Sequence, residues 1–254
     1  MSDEAKIRVR AAKKRFGDVA VLEGVDLDVG ASEFVALVGP SGCGKSTLLN
    51  AMAGFVTLDT GTLEIDSKPV GRPTPRRISM FQEPSVFPWF TVNENIALGL
   101  AAESPVEQNK IVAEHVELVG LKGFEDAYPP ELSGGMKQRL EFARALAVDP
   151  DVLFLDEPFG ALDAITRLEM RREIGRIWAQ TRKTCVLVTH DVDEALELAD
   201  RVAVMSHRPA RILEMIEVKL PRPRDPDDAV FREMKKRIYG LLLTKTPAPH
   251  DRTG

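Results

Sequence analysis

Residues 39–46 form a glycine-rich octapeptide, G-P-S-G-C-G-K-S, which restricts the local fold of this chain. It matches the pattern G-x-x-x-x-G-K-S/T, follows an apolar run of strand length at 33–38 and precedes a run at 46–52 that suits a helix. Glycines in such a turn let backbone N–H groups point inward, and the helix N-terminus adds partial positive charge. The sequence therefore predicts a strand–loop–helix unit that cradles phosphate, with Lys45 as the cation and Ser46 as a hydroxyl ligand for Mg²⁺.

The composition is that of an ordinary globular protein. Of 254 residues, 44% are hydrophobic and 29% are charged, and the formal net charge of −5 argues against a general nucleic-acid binder. No apolar run reaches the length of a membrane span, and the polar N-terminus lacks a signal-peptide core, so a cytoplasmic chain is expected. Two cysteines are too few for a disulfide framework, and Cys185, in an apolar run, is expected to be buried.

Hydrophobic periodicity divides the chain into a β-rich start, a helical middle and an alternating end. Strands are predicted at 7–11, 19–29, 62–65 and 77–81, and a helical pattern runs from 92 to about 120. Further strands are predicted at 152–155, 185–188 and 202–205, and helices at 165–180 and 192–199. Because such alternation indicates a parallel sheet with crossover helices, the predicted class is α/β. It would comprise a P-loop NTPase core with a mainly parallel sheet, an N-terminal antiparallel β subdomain and an α-helical subdomain inserted at about 90–148.

The last part of the chain is predicted to be an appendage. Residues 221–226, P-R-P-R-D-P, are expected to form a stiff polar connector, followed by an amphipathic helix from 229 to about 243 and a loose tail. The predicted division is a main domain over 1–225 and a C-terminal helix and tail over 226–254.

Two acids end an apolar strand. Asp156 and Glu157 follow residues 152–155, and the carboxyl ends of parallel strands share one sheet edge, so both carboxylates are expected beside the phosphate loop. Asp156 is predicted to hold Mg²⁺, directly or through water, and Glu157 to polarise the water that attacks the γ-phosphate. The alternative is a pair of solvated acids that open a loop.

A second glycine motif, L-S-G-G-M-K-Q-R, occupies residues 132–139. Ser133 is a natural N-cap for the helical run at 136–148, and Gly134 and Gly135 leave N–H groups open at the helix N-terminus. The serine hydroxyl and these N–H groups form a second candidate anion site. A plain capped helix is the alternative.

Together, the two motifs resemble the phosphate loop and the signature of the ATP-binding cassette (ABC) family, and the resemblance covers most of the chain. Gln82 matches the family's glutamine that touches Mg²⁺ or water and senses the transport partner. Asp163, in A-L-D, matches a loop that crosses the dimer interface, and His190, in V-T-H-D, matches the switch histidine at the γ-phosphate. Phe16 matches the aromatic residue that stacks on adenine, where the family often has tyrosine; a core phenylalanine is the alternative.

The resemblance implies that two copies of the chain face each other and enclose ATP. Each ATP, with its Mg²⁺, would lie between the phosphate loop of one copy and residues 133–135 of the other. Catalysis would then depend on Glu157, His190 and Gln82, and Mg²⁺ binding on Ser46, Gln82 and Asp156. The residues expected to contact the nucleotide are Phe16, Gly39, Pro40, Ser41, Gly42, Cys43, Gly44, Lys45, Ser46, Thr47, Ser133, Gly134, Gly135 and Asp163.

Finer similarity points to the nitrate/sulfonate/taurine group of bacterial ABC importers. It lies in Pro84, in the dipeptides at 88–89 and 91–92, and in residues 158–164 and 220–224. The implied function is an ATPase subunit that energises a membrane importer of a small, often anionic solute from the cytoplasmic face of the membrane. The implied partners are integral-membrane permease subunits, a second copy of the chain and, indirectly, an extracytoplasmic solute-binding protein, with no nucleic acid.

An aromatic loop bears on the choice between classes. Phe87, Trp89 and Phe90 stand in a proline-broken segment and would mark a docking surface if exposed, with packing between subdomain and core as the alternative. The competing class is a soluble ABC ATPase that acts on ribosomes or DNA. It is disfavoured because the chain has one cassette and no sustained heptads. A P-loop kinase would not need residues 132–138.

The phosphate loop itself contains a cysteine. Because loop N–H groups and Lys45 surround Cys43, its thiolate is expected to be stabilised, so that alkylation inhibits ATP hydrolysis and ATP protects. A packed, inert thiol is the alternative.

Overall fold

Ten strands form two sheets, with seven α-helices, in the residues that this computed structural model describes, 5–83 and 85–244. The strands are β1 (Ile7–Phe16), β2 (Val19–Val29), β3 (Phe34–Val38), β4 (Thr60–Ile65), β5 (Lys68–Pro69), β6 (Arg77–Met80), β7 (Val152–Asp156), β8 (Thr184–Thr189), β9 (Arg201–Met205) and β10 (Ile212–Glu217). The helices are α1 (Lys45–Ala53), α2 (Val92–Ala97), α3 (Pro105–Leu118), α4 (Gly134–Ala147), α5 (Ala164–Thr181), α6 (Val192–Leu198) and α7 (Ala229–Thr244). Pro84, the polar residues 1–4 and the predicted tail after 244 lie outside the described residues.

The larger sheet has the strand order β10-β9-β3-β8-β7-β6, and its strands are parallel except for the antiparallel edge strand β10. Its central strands are buried on both faces. In β3, Phe34 and Ala36 belong to one hydrophobic cluster, whereas Val35 and Leu37 belong to another on the opposite face. A strand covered on both faces needs a continuous apolar run, which is why this strand could be predicted. The α/β class with a mainly parallel core sheet is confirmed.

The smaller sheet is antiparallel, with the order β2-β1-β4-β5. It confirms the predicted N-terminal β subdomain, although β1 continues to Phe16, beyond the predicted residue 11. Two strands were missing from the prediction. β5 has only two residues, and β10 pairs with β9 after a hairpin that periodicity does not reveal.

The helices α2, α3 and α4 are inserted between β6 and β7, as predicted. The helical pattern from 92 to 120 is nevertheless not one helix. Ser104 accepts a hydrogen bond from the Glu107 N–H and Pro105 occupies the first helical turn, so a new helix starts there. Val106 is 80% exposed, whereas Val112 of the same helix is buried. The apolar spacing therefore predicted a wider buried face than the helix has. The subdomain limits of 90–148 remain a prediction.

The C-terminal connector at 221–226 is exposed except at Arg222 and Arg224, but it does more than separate two elements. Arg224 is buried, and its guanidinium donates to the carbonyl oxygens of Leu196 and Ala199 at 2.6 Å each. These carbonyls lie at the C-terminal end of α6, where helix carbonyls lack partners. Phe231 of α7 is also fully buried in the main core cluster. The division of the chain at residue 225 remains a prediction. Among the described helices, none is long and apolar enough to cross a membrane.

Candidate active site

The phosphate loop joins the end of β3 to the start of α1 at the edge of the central sheet. Gly42 and Gly44 have φ values of 70° and 128°, a region that favours glycine. A Cβ at Gly44 would also lie 3.0 Å from the Val21 Cγ1, so the loop is packed closely against β2. The predicted strand–loop–helix unit is therefore present, with its backbone conformation dependent on glycine.

Lys45 and Ser46, the first two residues of α1, face groups of the site. The buried Lys45 ammonium donates to the carbonyl oxygens of Gly39 at 2.8 Å and Pro40 at 3.1 Å. The Ser46 hydroxyl donates to Asp156 Oδ1 at 2.9 Å. The sheet edge thus brings the loop cation close to two of the three expected Mg²⁺ ligands, Ser46 and Asp156.

The two acids after β7 differ in environment. Burial raises the pKa of Asp156, and the hydrogen bond from Ser46 opposes this rise. Glu157 has a φ of 48°, a backbone conformation that is uncommon for residues other than glycine. The residues that do adopt it cluster at functional sites. Its N–H donates to Val188 O at 2.9 Å, and its Oε2 lies 3.1 Å from the Nδ1 of His190. The sequence-predicted pair Glu157 and His190 is therefore in hydrogen-bond contact.

Gln82 lies beside the turn at residues 157–160, which follows β7. A Cβ at Gly160 would be 3.0 Å from the Gln82 Nε2, so glycine at this position leaves room for the glutamine side chain. The Gly160 N–H in turn donates to the Glu157 carbonyl oxygen at 3.0 Å. Gln82 thus reaches the turn that carries Glu157, although β6 ends at Met80, one residue earlier than predicted.

The buried carboxyl of Glu194, which binds the residue before His190, was not predicted as part of the site. The Thr189 hydroxyl donates to Glu194 Oε2 at 2.5 Å and accepts from the Asp191 N–H at 2.9 Å. Both neighbours of His190 are thereby fixed. Burial raises the pKa of Glu194 to about 7. The sequence signal is D-x-x-E at 191–194, which indicates a helix cap; Asp191 does cap α6, but Glu194 binds Thr189.

The expectation of a stabilised thiolate at Cys43 was wrong. Cys43 is buried, and burial raises the pKa of its thiol despite the opposing charges of Lys45 and Arg208. Loss of hydration outweighs the nearby positive charge. The thiol packs beside Gly39, where a Cβ would lie 3.1 Å from its sulfur. Cys185 is buried, as expected.

The second glycine motif forms the start of α4. The Ser133 side chain accepts from the Met136 N–H at 3.3 Å, which confirms the predicted N-cap, and the helix begins two residues earlier than predicted. The groups that a Cβ at Gly135 would contact are the side chains of Thr166 and Met170. Within one copy, these contacts place the motif against α5.

Asp163 is the N-cap of α5. Its carboxylate accepts from the N–H groups of Ile165 and Thr166 at 3.1 Å each and from the Thr166 hydroxyl at 2.6 Å. These hydrogen bonds lower the pKa of Asp163. Its predicted contact with nucleotide or with a second copy remains a prediction.

Phe16 stands at the end of β1 and is 51% exposed, so it is not a core residue. The Lys14 ammonium lies 5.4 Å from the ring centroid. Phe16 pairs with Val19 of β2, and Val21 of the same strand packs against Gly44 of the phosphate loop. An exposed ring beside this strand suits stacking on a base, and this role remains a prediction.

A chain with this fold and this loop at the edge of its central sheet is a P-loop nucleoside triphosphatase. A profile described as ABC transporter matches residues 22–160. The aliphatic sulfonates import ATP-binding protein SsuB of Bacillus cereus is 46% identical over 235 residues, which cover 91% of this chain and 93% of that protein. The nitrate import ATP-binding protein NrtD of Synechococcus elongatus is 46% identical over 219 residues, which cover 84% and 80%. The chain therefore belongs to the ABC transporter family and is an ATPase of that family.

A solved structure supports the same assignment. It is cbiO1 from Clostridium perfringens, part of the ABC transporter complex cbiONQ. It matches with a TM-score of 0.80 and 25% sequence identity, over 95% of this chain and 96% of that chain.

Proposed function

We propose that this chain is the ATP-hydrolysing subunit of a membrane importer for a small anionic solute of the sulfonate or nitrate type. The proposal that it hydrolyses ATP rests on two pairs of side chains in hydrogen-bond contact beside the phosphate loop, Ser46 with Asp156 and Glu157 with His190. The similarity to sulfonate and nitrate import proteins over most of the chain supports import. It favours this function over a soluble ATPase that acts on ribosomes or DNA.

Each site residue has a defined task in hydrolysis. The Lys45 ammonium exchanges its two carbonyl partners for phosphate oxygens when ATP enters the loop. The Glu157 carboxylate accepts the proton of the attacking water, and His190 orients that carboxylate and faces the γ-phosphate. Gln82, beside Gly160, links the site to the aromatic loop that follows it.

The residues present fit Mg²⁺. In the described part of the chain, no group of three or more histidine, cysteine or acidic residues forms a metal site. Mg²⁺ is commonly held by one or two carboxylates together with substrate phosphates, so Ser46, Asp156 and Gln82 are a suitable donor set. When bound, Mg²⁺ neutralises the charge that develops on the transferred phosphoryl group.

A second copy of the chain completes the site. Within one copy, Gly134 lies near Leu162 and Gly135 lies near α5, while the N-cap Ser133 and these two glycines form the N-terminus of α4, whose N–H groups suit phosphate. Two copies facing each other head to tail would bring this N-terminus onto the ATP held by the partner's phosphate loop. Asp163 would lie at the interface between them. ATP then joins the subunits, and hydrolysis separates them.

An aromatic groove, lined by Phe55, Phe87 and Arg144 and flanked by Phe81 and Trp89, suits the membrane partner. Phe55 and Phe81, both exposed, lie 6.4 Å apart between ring centroids, and Trp89, 66% exposed, lies 5.6 Å from Phe87. Arg144 stands over the Phe87 ring at 5.1 Å. Adjacent exposed aromatic rings with an arginine are typical of interface cores. We assign this groove to a cytoplasmic helix of the permease subunit.

The remaining assignments follow from that arrangement. Docking on the permease would hold the chain at the cytoplasmic face of the membrane. The cassette would span residues 1–225, with the helical subdomain at 90–148, and residues 226–254 would form the C-terminal appendage. The solute would be chosen by the permease and by an extracytoplasmic binding protein, which this chain reaches only indirectly.

The test is capture of the partner from native membranes. The tagged full chain should co-purify, after detergent solubilisation, with a multi-span membrane protein in about equal amount. Trp89→Ala should reduce that capture without altering ATP hydrolysis by the isolated chain, because it removes exposed contact area only. Val106→Ala, at another exposed apolar residue outside the groove, is the control and should capture normally. Recovery of ribosomes or nucleic acid in place of a membrane protein would overturn the import function.

A further inference from the structure

A hairpin between β9 and β10 lies against the phosphate loop. At residues 206–211 the chain reverses, and the Ala210 N–H donates to Val21 O at 2.8 Å. At the other end of the hairpin, a Cβ at Gly39 would lie 3.1 Å from the Met205 Cβ. The hairpin is therefore fixed on one side by β2 and on the other by the first residue of the phosphate loop.

The hairpin carries Arg208 to the middle of that loop. Its Nη2 lies 3.5 Å from the position that a Cβ at Gly42 would occupy. Its charge acts on the Cys43 thiol, in the same direction as that of Lys45. Arg208 is exposed, and within residues 5–83 and 85–244 it makes neither a hydrogen bond nor an ion pair. An unpaired guanidinium thus stands at a loop built to receive phosphate.

We propose that Arg208 is a second cation of the nucleotide site and contacts the phosphates of bound ATP. This inference rests on the proposed nucleotide site at residues 39–46. Guanidinium N–H groups form a planar fork that matches phosphate oxygens, and they are more weakly hydrated than an ammonium. Arg208 complements Lys45, since the lysine is buried within the loop and the arginine approaches from the hairpin outside it.

The experiment measures binding of MgATP, MgADP and AMP to the full chain by titration calorimetry. Arg208→Ala should raise the Kd for MgATP about three- to tenfold, as expected for one charge-assisted contact near the surface. Arg208→Lys should lose less, and the difference from the unchanged chain should shrink at high salt. Arg211→Ala is the matched control, because Arg211 is exposed on the same hairpin and its charge acts on Glu23 instead.

The outcomes separate this inference from the proposed function. If the unchanged chain binds no MgATP, or binds it no better than Lys45→Ala, the nucleotide site itself is wrong. If the unchanged chain and Arg211→Ala bind MgATP and Arg208→Ala binds equally well, only the role of Arg208 is wrong. An equal loss for AMP and MgATP would also overturn it, because the arginine would then act through hairpin packing.

Discussion

At the residue scale, burial decides what Cys43 can do. The phosphate loop surrounds it with positive charge, but the thiol is shielded from water and its pKa is raised. Thiols react as thiolates, so iodoacetamide at pH 7 should label Cys43 slowly in the folded chain and leave ATP hydrolysis nearly unchanged. Intact mass measured over time tests this. The urea-unfolded chain is the control, in which both cysteines should react. Rapid labelling that ATP prevents would restore the rejected thiolate interpretation.

Whether a residue's contacts can be predicted from the sequence depends on how far along the chain its partners lie. Ser133 could be predicted as an N-cap because a cap depends on residues three positions away. Arg224 could not be placed, because its partners are carbonyl groups of α6 and of the segment after β10, and no local pattern announces them. Arg208 could not be placed either, because it lies near Gly42 only as a result of the order of strands in the larger sheet.

At the scale of elements, the turn from β8 into α6 depends on Glu194. Its pKa of about 7 lies above that of an unfolded glutamate, so the folded chain holds a proton that the unfolded chain releases. The stability of the fold should therefore decrease as pH rises from about 4.5 to about 7, by on the order of 3 kcal/mol from this group. Glu194→Gln keeps an acceptor for the Thr189 hydroxyl and removes the titration.

The measurement is the free energy of unfolding of both chains at pH 5 and pH 8. The free energy of unfolding of the variant, minus that of the unchanged chain, should be larger at pH 8 than at pH 5. Comparing the two chains cancels the contributions of other acids whose pKa burial raises, such as the buried Glu141 and the partly buried Glu197. A difference that does not change with pH would show that Glu194 is ionised throughout.

Elements of the central sheet could be predicted more fully than those at its margins. β3 and β8 are buried on both faces and are therefore continuous apolar runs. β10 is an edge strand with a half-buried pattern, and its pairing is decided by the hairpin that precedes it. The break between α2 and α3 arises from Ser104 and Pro105, whose capping pattern was present in the sequence but was masked by valine spacing.

At the scale of the whole molecule, we propose that one copy holds two incomplete anion sites. The phosphate loop would supply Lys45 and Ser46 to one, and the α4 N-terminus would supply Ser133 to the other, beside the glycines that lie near Leu162 and α5. The aromatic groove would add a third functional surface at the segment that follows Gln82. ATP binding and contact with the membrane partner would thereby be linked through Gln82 and the aromatic residues that follow it in the chain.

We propose that Glu157 activates water in an ATP-bound pair of subunits. In Glu157→Gln, the phosphate loop, the Ser46–Asp156 pair and the α4 N-terminus are unchanged, so ATP should still bind and join two copies. Turnover should fall by about 100-fold or more, as expected on loss of a general base. The measurement is steady-state ATP hydrolysis together with size-exclusion chromatography in ATP. The variant should form a stable ATP-bound dimer with almost no hydrolysis, and normal hydrolysis by the variant would contradict the role of Glu157.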